Sequence, residues 1–110
     1  EKDWQGAARQ LAQRYPQAVV VVTAGVAGAV AWADGQAITV PAVRVQAVDT
    51  TGAGDVFVGY LVAGLARGLA LREALRLAAS AAALSVTRLG AAASIPVAAE
   101  VDEFRAKRGA

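Results

Sequence analysis

Residues 49–55, Asp-Thr-Thr-Gly-Ala-Gly-Asp, carry the residue types in this chain that are best suited to chemistry. Gly52, Ala53 and Gly54 have side chains no larger than a methyl group, so a ligand can approach their backbone N–H groups closely. A strongly apolar segment follows. If a helix begins near Gly54, these N–H groups lie at its N-terminus, where the helix dipole favours an anion such as phosphate. Asp55 then stands in the first turn, where a carboxylate can take a proton from a hydroxyl that attacks a phosphoryl group.

A purely structural interpretation of the same residues stays open at this point. Asp55 can complement the helix dipole without any catalytic role, and the glycines can form an ordinary turn before a helix. The spacing matches neither a Walker loop nor the G-x-G-x-x-G fingerprint of dinucleotide-binding proteins. The seven residues alone therefore indicate an anion site without establishing one.

Composition limits the classes of protein and of site. A chain of 110 residues is long enough for one domain with a hydrophobic core. It contains no cysteine and no histidine, which excludes disulfides, thiolate metal sites and histidine bases. Proton transfer must therefore fall to a carboxylate, a lysine or a tyrosine. The net charge is only +2, and we interpret the basic cluster of Arg105, Lys107 and Arg108 as a solvated helix end, with no nucleic-acid partner.

The longest uncharged run, residues 15–33, approaches the length of a membrane span. It opens with Pro16, contains four consecutive valines at 19–22, and is interrupted by Gly25 and Gly28. This composition is typical of strands and turns in a globular domain. We therefore expect neither a membrane segment nor a signal peptide, and the absence of cysteine favours a cytoplasmic location.

The elements that must position these residues can be read from hydrophobic periodicity. The continuous apolar run 18–23 predicts a strand that is buried on both faces of a parallel sheet. Asp34-Gly35 predicts a two-residue hairpin turn between strands 29–33 and 36–40, and 43–48 predicts a further extended segment. The segment 56–67 is apolar almost all round, which predicts a buried helix in which Gly59 and Gly64 leave room for close neighbours. Further helices are predicted at 3–14, 71–87 and 96–107.

The segments VDTTGAGDVFVG and LREALRLAASAAALSVTRLGAAASIP together closely resemble the C-terminal part of the ribokinase-like, or PfkB-type, carbohydrate kinases. Within that family the likeness is strongest to the ribokinases, and it covers about residues 5–105. It implies a three-layer α/β fold, of which residues 1–110 supply the C-terminal, nucleotide-side portion, with parallel strands, a hairpin and packed helices. The N-terminal sugar-binding part and the β-sheet lid of the family are not expected in this chain.

The resemblance also assigns roles to individual residues. Asp55 matches the base that deprotonates the sugar hydroxyl, and Gly52, Ala53 and Gly54 match the anion hole that neutralises the transferred phosphoryl group. The resemblance implies three groups of ATP-binding positions. Thr23, Gly25 and Gly28 match a strand-end turn that lines the nucleotide. Gly54 is the anion-hole glycine, and Ala79 stands where many relatives carry asparagine or histidine near adenine. With alanine at the last of these, adenine would be held by apolar packing and backbone groups.

A monovalent cation, usually potassium, binds beside the anion hole in the family. The resemblance implies that two loops supply its oxygen ligands: the Asp49 carboxylate, the Ser94 hydroxyl, and the carbonyls of Thr51, Ser85, Arg88 and Gly90. Oxygen ligands suit such a hard ion. Without the resemblance, residues 87–94 would be interpreted only as a helix end with a glycine cap and a loop.

Two residues depart from the family pattern close to the predicted base. Tyr60 stands where the family usually has a small residue, and Val58 replaces a frequent asparagine. These departures bear on how the site is tuned and leave its predicted base and anion hole unchanged.

The implied function is ATP-dependent phosphorylation of a sugar hydroxyl, O5 of D-ribose, with Mg²⁺ bridging the phosphates. The alternatives are a kinase for fructose, a ketodeoxy sugar acid or a nucleoside, and a nucleotide-binding fragment without turnover. Because the sugar-binding part is not expected here, we expect the isolated chain to be inactive. Its expected partners are the sugar, ATP, the remainder of the kinase chain and a second copy in a homodimer.

Overall fold

The computed structural model describes residues 4–23, 28–88 and 95–108. It divides into two compact units, Glu1–Ala42 and Val43–Ala110, which we call the sheet unit and the helical unit. The sheet unit contains α1 (Trp4–Arg14), β1 (Val20–Thr23), β2 (Ala29–Ala33) and β3 (Gln36–Val40). The helical unit contains α2 (Ala53–Ala66), α3 (Leu71–Val86) and α4 (Ala98–Lys107).

The sheet has the order β1-β2-β3, and both strand pairs are antiparallel. Asp34 and Gly35 join β2 to β3 with φ angles of 52° and 76°, which matches the two-residue turn predicted for this hairpin. β2 lies in the centre and supplies the buried residues Val30 and Ala31, while α1 packs against β1 and β2 through the fully buried Ala8.

One prediction about the strands was wrong for the described residues. β1 pairs antiparallel with β2, where parallel pairing was predicted, and Val19 before it is exposed. A run of valines indicates apolar surroundings but does not identify the neighbouring strand, which explains the error. For residues 43–48 the structure assigns no strand, and the predicted extended segment there stays a prediction.

The three helices of the helical unit pack in sequence, α2 on α3 and α3 on α4. α2 and α3 approach closely at Gly64, where an added Cβ would stand 3.3 Å from the Cβ of Ala74. The core that they share with α4 consists of Val56, Leu77, Ala81 and Val101. The predicted close packing at Gly64 is thereby confirmed.

The outer face of α2 departs from its prediction. A helix that is apolar all round was expected to be buried, yet Val58, Val62 and Leu65 are 57%, 59% and 39% exposed. These residues follow one another at helical spacing, so they form one stripe, which we call the α2 apolar face. Gly59 lies beside this face with no atom within 4 Å of an added Cβ, so the predicted close neighbour of Gly59 is not observed in the described residues.

None of the helices in the described part of the chain combines the length and the apolar character needed to cross a lipid bilayer.

Candidate functional site

The loop 49–54 leads into α2 through a turn that the sequence encodes locally. An oxygen of the Asp49 carboxylate accepts a hydrogen bond from the Thr51 N–H at 2.9 Å, as in an Asx-turn. Gly52 then caps the helix with φ 79°, a left-handed conformation that favours glycine. The Gly52 carbonyl accepts the first helical hydrogen bond, from the Val56 N–H at 3.0 Å. α2 therefore begins at Ala53, three residues before the predicted helix 56–67 and one residue before the start near Gly54 that the anion-site argument required.

The backbone donors at this helix end are not equivalent. The Ala53 N–H donates to the Thr50 carbonyl at 3.2 Å, so it is already engaged inside the loop. The N–H groups of Gly52, Gly54 and Asp55 have no hydrogen-bond acceptor among the described residues. An added Cβ at Gly54 would meet no atom within 4 Å, which leaves the backbone there open to a ligand. Open donors at the N-terminus of a 14-residue helix fit an anion.

Sequence reasoning missed one of these donors. The Asp55 N–H belongs to the open set, although this residue was predicted only for its carboxylate. The general rule that the first N–H groups of a helix lack internal acceptors could have found it. The Asp55 side chain is exposed in the first turn and has no hydrogen-bond or ion-pair partner in the part of the chain that the structure describes.

The loop 49–54 is attached to the C-terminal end of α3. The Val86 carbonyl accepts hydrogen bonds from the N–H groups of Val48 and Asp49, at 2.6 and 3.0 Å. These bonds bring Asp49 and Thr51 to the same end of the helical unit as Ser85 and Arg88. The structure thus joins, through one carbonyl, the two segments that were predicted to share a cation. Gly90 and Ser94, the remaining predicted ligands, lie outside the described residues.

The oxygen donors at this end of α3 are mostly backbone carbonyls. Ser85 is buried and its hydroxyl donates to the Ala82 carbonyl at 2.7 Å, which leaves its own carbonyl as the group available to an ion. That carbonyl receives the Arg88 N–H at 3.2 Å, a long bond that leaves a lone pair. Among the described residues, no group of three or more His, Cys, Asp or Glu side chains is placed so that it could hold a metal ion. One carboxylate with several carbonyls fits a monovalent cation of low charge density better than a transition metal.

The start of α4 makes contacts that sequence reasoning did not find. The guanidinium of Arg88 donates two hydrogen bonds to the Glu100 carboxylate, at 3.2 and 3.0 Å, and the Val97 N–H donates to the same carboxylate at 3.0 Å. The hydrogen bonds from Arg88 and Val97 lower the pKa of Glu100 below its ordinary value of 4.5. A glutamate four residues after Pro96 was a usable signal for the contact with Val97, because helix starts favour this arrangement.

Tyr60 reaches the same segment from α2. Its hydroxyl donates to the Pro96 carbonyl at 2.5 Å, and its ring packs against the core of the helical unit. Burial raises the pKa of the Tyr60 hydroxyl above 10.0, and the carboxylates of Glu100 and Asp102 raise it further. The departure noted at residue 60 therefore has a defined structural partner.

The predicted ATP-binding residues fall in both units. Thr23 ends β1 and is exposed, whereas Gly28 is buried with φ 97°. An added Cβ at Gly28 would stand 2.3 Å from the Val40 carbonyl oxygen, so the hairpin itself requires glycine there. Gly25 lies outside the described residues. Ala79 is half-buried on α3, in the helical unit with Gly54.

A cavity of about 300 Å³ lies in the sheet unit, beside the Asp34-Gly35 turn. Arg9, Gln13 and Trp32 contribute to its lining, and the indole N–H of Trp32 has no hydrogen-bond partner in the described part of the chain. None of the predicted site residues lines this cavity, so the case for a site rests on the loop 49–54 and the end of α3.

Comparison with known proteins decides the family. Residues 1–98 match the model of the pfkB family carbohydrate kinases. The chain belongs to this family. The resemblance identified from the two sequence segments is thereby confirmed, and with it the ribokinase-like α/β fold.

Individual kinases of the family show the same relationship. A ribokinase from Schizosaccharomyces pombe is 45% identical over 84 residues, which are 76% of this chain and 26% of that protein. The crystal structure of ribokinase from Thermotoga maritima has a TM-score of 0.80 and 38% identity, covering 87% of this chain and 33% of that one. The structure of Arabidopsis thaliana ribokinase complexed with ribose and ATP has a TM-score of 0.84 and 30% identity, and the match covers 94% of this chain and 34% of that one.

Other matches carry different substrate names, among them a fructokinase from Klebsiella pneumoniae and a nucleoside kinase from Methanocaldococcus jannaschii. The chain spans 26% to 30% of the length of the curated ribokinases from Schizosaccharomyces pombe, Haemophilus influenzae and Bacillus subtilis that it matches.

Proposed function

We propose that the intact protein transfers the γ-phosphoryl group of ATP to a sugar hydroxyl, O5 of D-ribose. The observation that carries this proposal is the position of Asp55, an exposed carboxylate directly beside the open N–H groups of Gly52 and Gly54. A phosphoryl group held by these donors would place an attacking hydroxyl within reach of that carboxylate. Ribose is chosen because several of the matched kinases bear the name ribokinase and one was solved with ribose and ATP.

Each residue of the loop would have a distinct part in the transfer. Asp55 takes the proton from the hydroxyl as it attacks, which makes the oxygen a better nucleophile. Gly52, Ala53 and Gly54 form the anion hole, in which the open donors are the N–H groups of Gly52, Gly54 and Asp55, because the Ala53 N–H donates to the Thr50 carbonyl. Thr23, Gly25, Gly28 and Ala79 line the nucleotide. Mg²⁺, when bound, neutralises charge on the phosphates, as in other phosphoryl transfers.

We further propose that a potassium-like ion binds beside this loop. Its ligands would be the Asp49 carboxylate, the Ser94 hydroxyl, and the carbonyls of Thr51, Ser85, Arg88 and Gly90. The hydrogen bonds from Val48 and Asp49 to the Val86 carbonyl support the pairing of the two segments. When bound, the ion adds positive charge next to the anion hole.

The proposal is tested by replacing the base in the full-length enzyme. Asp55→Asn keeps the shape of the side chain and removes its ability to accept the proton. We expect kcat to fall on the order of 10²-fold or more, with little change in the KM for ATP. Asp102→Asn, at an exposed carboxylate on α4, is the matched control and should leave kcat unchanged. Turnover that survives Asp55→Asn would exclude this residue as the base.

The sugar is tested separately, with ADP formation measured for ribose, fructose, a ketodeoxy sugar acid and a nucleoside. The highest kcat/KM is expected with ribose. A preference for another compound would leave the proposed kinase activity in place and change only its substrate. The resemblance places most sugar contacts in the part of the relatives that this chain does not span.

A nucleotide-binding fragment without turnover is the second candidate, and the partial span of the chain favours it for the isolated 110 residues. Calorimetry with ATP and Mg²⁺ on this chain distinguishes the two. Binding of ATP without sugar-dependent release of ADP would support the fragment, and release of ADP would exclude it. In the intact protein, the remainder of the kinase chain would supply the sugar site, and a second copy is the proposed partner in a homodimer.

A further inference from the structure

The start of α4 is connected by side chains to both other helices of the helical unit. Tyr60 reaches it from α2 and Arg88 reaches it from the end of α3, through Pro96 and Glu100 respectively. We call these four residues the α4 brace. Its Arg88 end carries a carbonyl that we propose as a cation ligand.

The Glu100 carboxylate is the centre of the α4 brace. It accepts three hydrogen bonds, two from the Arg88 guanidinium and one from the Val97 N–H. The two bonds from Arg88 form a fork, which fixes the direction of the guanidinium as well as its distance. Because Glu100 is held by its own helix start at the same time, Arg88 is tied to a defined place on α4.

Tyr60 fixes the position of this helix start. Its ring packs against the shared core, and its hydroxyl donates to the Pro96 carbonyl at 2.5 Å. Pro96 is buried and directly precedes Val97, whose N–H binds Glu100. The contacts therefore run without interruption from α2, which begins two residues before Asp55, to the end of α3.

We propose that Tyr60 and Glu100 are positioning residues for the monovalent cation, because they hold the end of α3 that carries the Ser85 and Arg88 carbonyls. This inference rests on the proposed cation site. Neither side chain would contact the ion: Glu100 would act through Arg88, and Tyr60 would act through Pro96 and the start of α4. A partly exposed ion pair, with side chains 30% and 43% exposed, adds little to folding stability, so its main effect falls on local geometry.

The test uses the full-length enzyme and three single variants. Glu100→Gln removes the charge and one acceptor of the fork, and Tyr60→Phe removes only the hydroxyl. Glu103→Gln is the matched control, because it removes an exposed ion pair with Lys107 on the same helix. The melting temperature is titrated with KCl at constant ionic strength, without nucleotide. The midpoint of that titration reports potassium affinity without requiring turnover. The KCl concentration for half-maximal activity is measured in parallel.

We expect Glu100→Gln to raise both potassium midpoints about tenfold, and Tyr60→Phe about threefold, as the loss of a charged and of a neutral hydrogen bond predicts. The kcat at saturating potassium should stay within about twofold of the parent enzyme. Glu103→Gln should leave both midpoints unchanged. Arg88→Lys keeps the charge and the carbonyl but loses the fork, so it should raise the midpoints and add little when combined with Glu100→Gln.

If the full-length enzyme depends on potassium but the potassium midpoints are unchanged in Glu100→Gln and Tyr60→Phe, the inference is wrong and the proposed cation site stands. An active enzyme that responds equally to potassium, sodium and choline would refute the proposed cation site and the inference with it. If Glu100→Gln fails to fold, Tyr60→Phe and Arg88→Lys decide the question, because both leave the hydrogen bond between the Val97 N–H and Glu100 at the helix start in place.

Discussion

Gly28 and Gly54 are both predicted, from the family resemblance, to lie at the nucleotide, and the structure gives them opposite surroundings. Gly28 is buried in the sheet unit, and a Cβ there would collide with the Val40 carbonyl oxygen at 2.3 Å. Gly54 is exposed in the helical unit, and a Cβ there would meet nothing within 4 Å. The fold itself needs glycine at the first position. At the second the described residues do not require it, which agrees with the proposed role of Gly54 in binding a phosphoryl group.

The largest effect is expected at Gly28, where the fold itself requires glycine. Gly28→Ala combines a collision with backbone atoms and a φ of 97°, so we expect it to reduce the free energy of unfolding by about 3 kcal/mol or more. Urea denaturation of the 110-residue chain and of the full-length protein measures this loss. Parent-like stability of this variant would show that the backbone of the hairpin does not approach Gly28 as described.

Gly54→Ala should act in the opposite way on stability and activity. Alanine favours the helical conformation, so the free energy of unfolding should rise by about 0.5 kcal/mol. The added methyl group would stand where a phosphoryl group approaches the backbone, so kcat in the full-length enzyme should fall by about tenfold or more, as when an oxyanion-hole contact is weakened. Thermal unfolding and steady-state kinetics on one preparation provide both values. A loss of stability together with activity would instead assign Gly54 to the fold.

Gly59 is a third glycine to compare, because an added Cβ there would meet no atom within 4 Å and the residue lies beside the α2 apolar face. In the 110-residue chain, Gly59→Ala should raise the free energy of unfolding by about 0.5 to 1 kcal/mol, because an exposed glycine inside a helix is unfavourable.

In the full-length protein the same substitution should be neutral or destabilising, since we expect the remainder of the kinase to cover the α2 apolar face. Thermal unfolding of both proteins, each with and without the substitution, provides the comparison. An equal gain in the two proteins would mean that this face stays open to solvent.

Features encoded by neighbouring residues were predictable from the sequence. The hairpin at Asp34-Gly35 and the start of α2 after Gly52 both follow from backbone preferences of single residues, and both agree with the structure. The open donors at the start of α2 follow from the same local rules. The role of Asp55 as a base remains a prediction, because a position in the first helical turn does not by itself show reactivity.

Features that depend on distant residues were not predictable. The apolar run 18–23 gave no information about which strand would pair with β1. The hydrogen bond from Tyr60 to Pro96 spans 36 residues, and the pair of Arg88 with Glu100 spans 12. Such contacts depend on how helices pack, which hydrophobic periodicity does not specify. For the same reason the exposure of Val58 and Val62 became visible only in the structure.

The attachment of the loop 49–54 to α3 has a mechanical consequence. Two N–H groups, from Val48 and Asp49, are fastened to the single carbonyl of Val86, and α2 follows directly behind the loop. Residues 41–47, before this anchor, have no regular secondary structure. The same connection is itself held at the Arg44 carbonyl, which accepts a hydrogen bond from the Arg108 guanidinium. The loop, Asp55 and the end of α3 would move together as one piece, and the spacing between base, anion donors and carbonyl oxygens would be preserved.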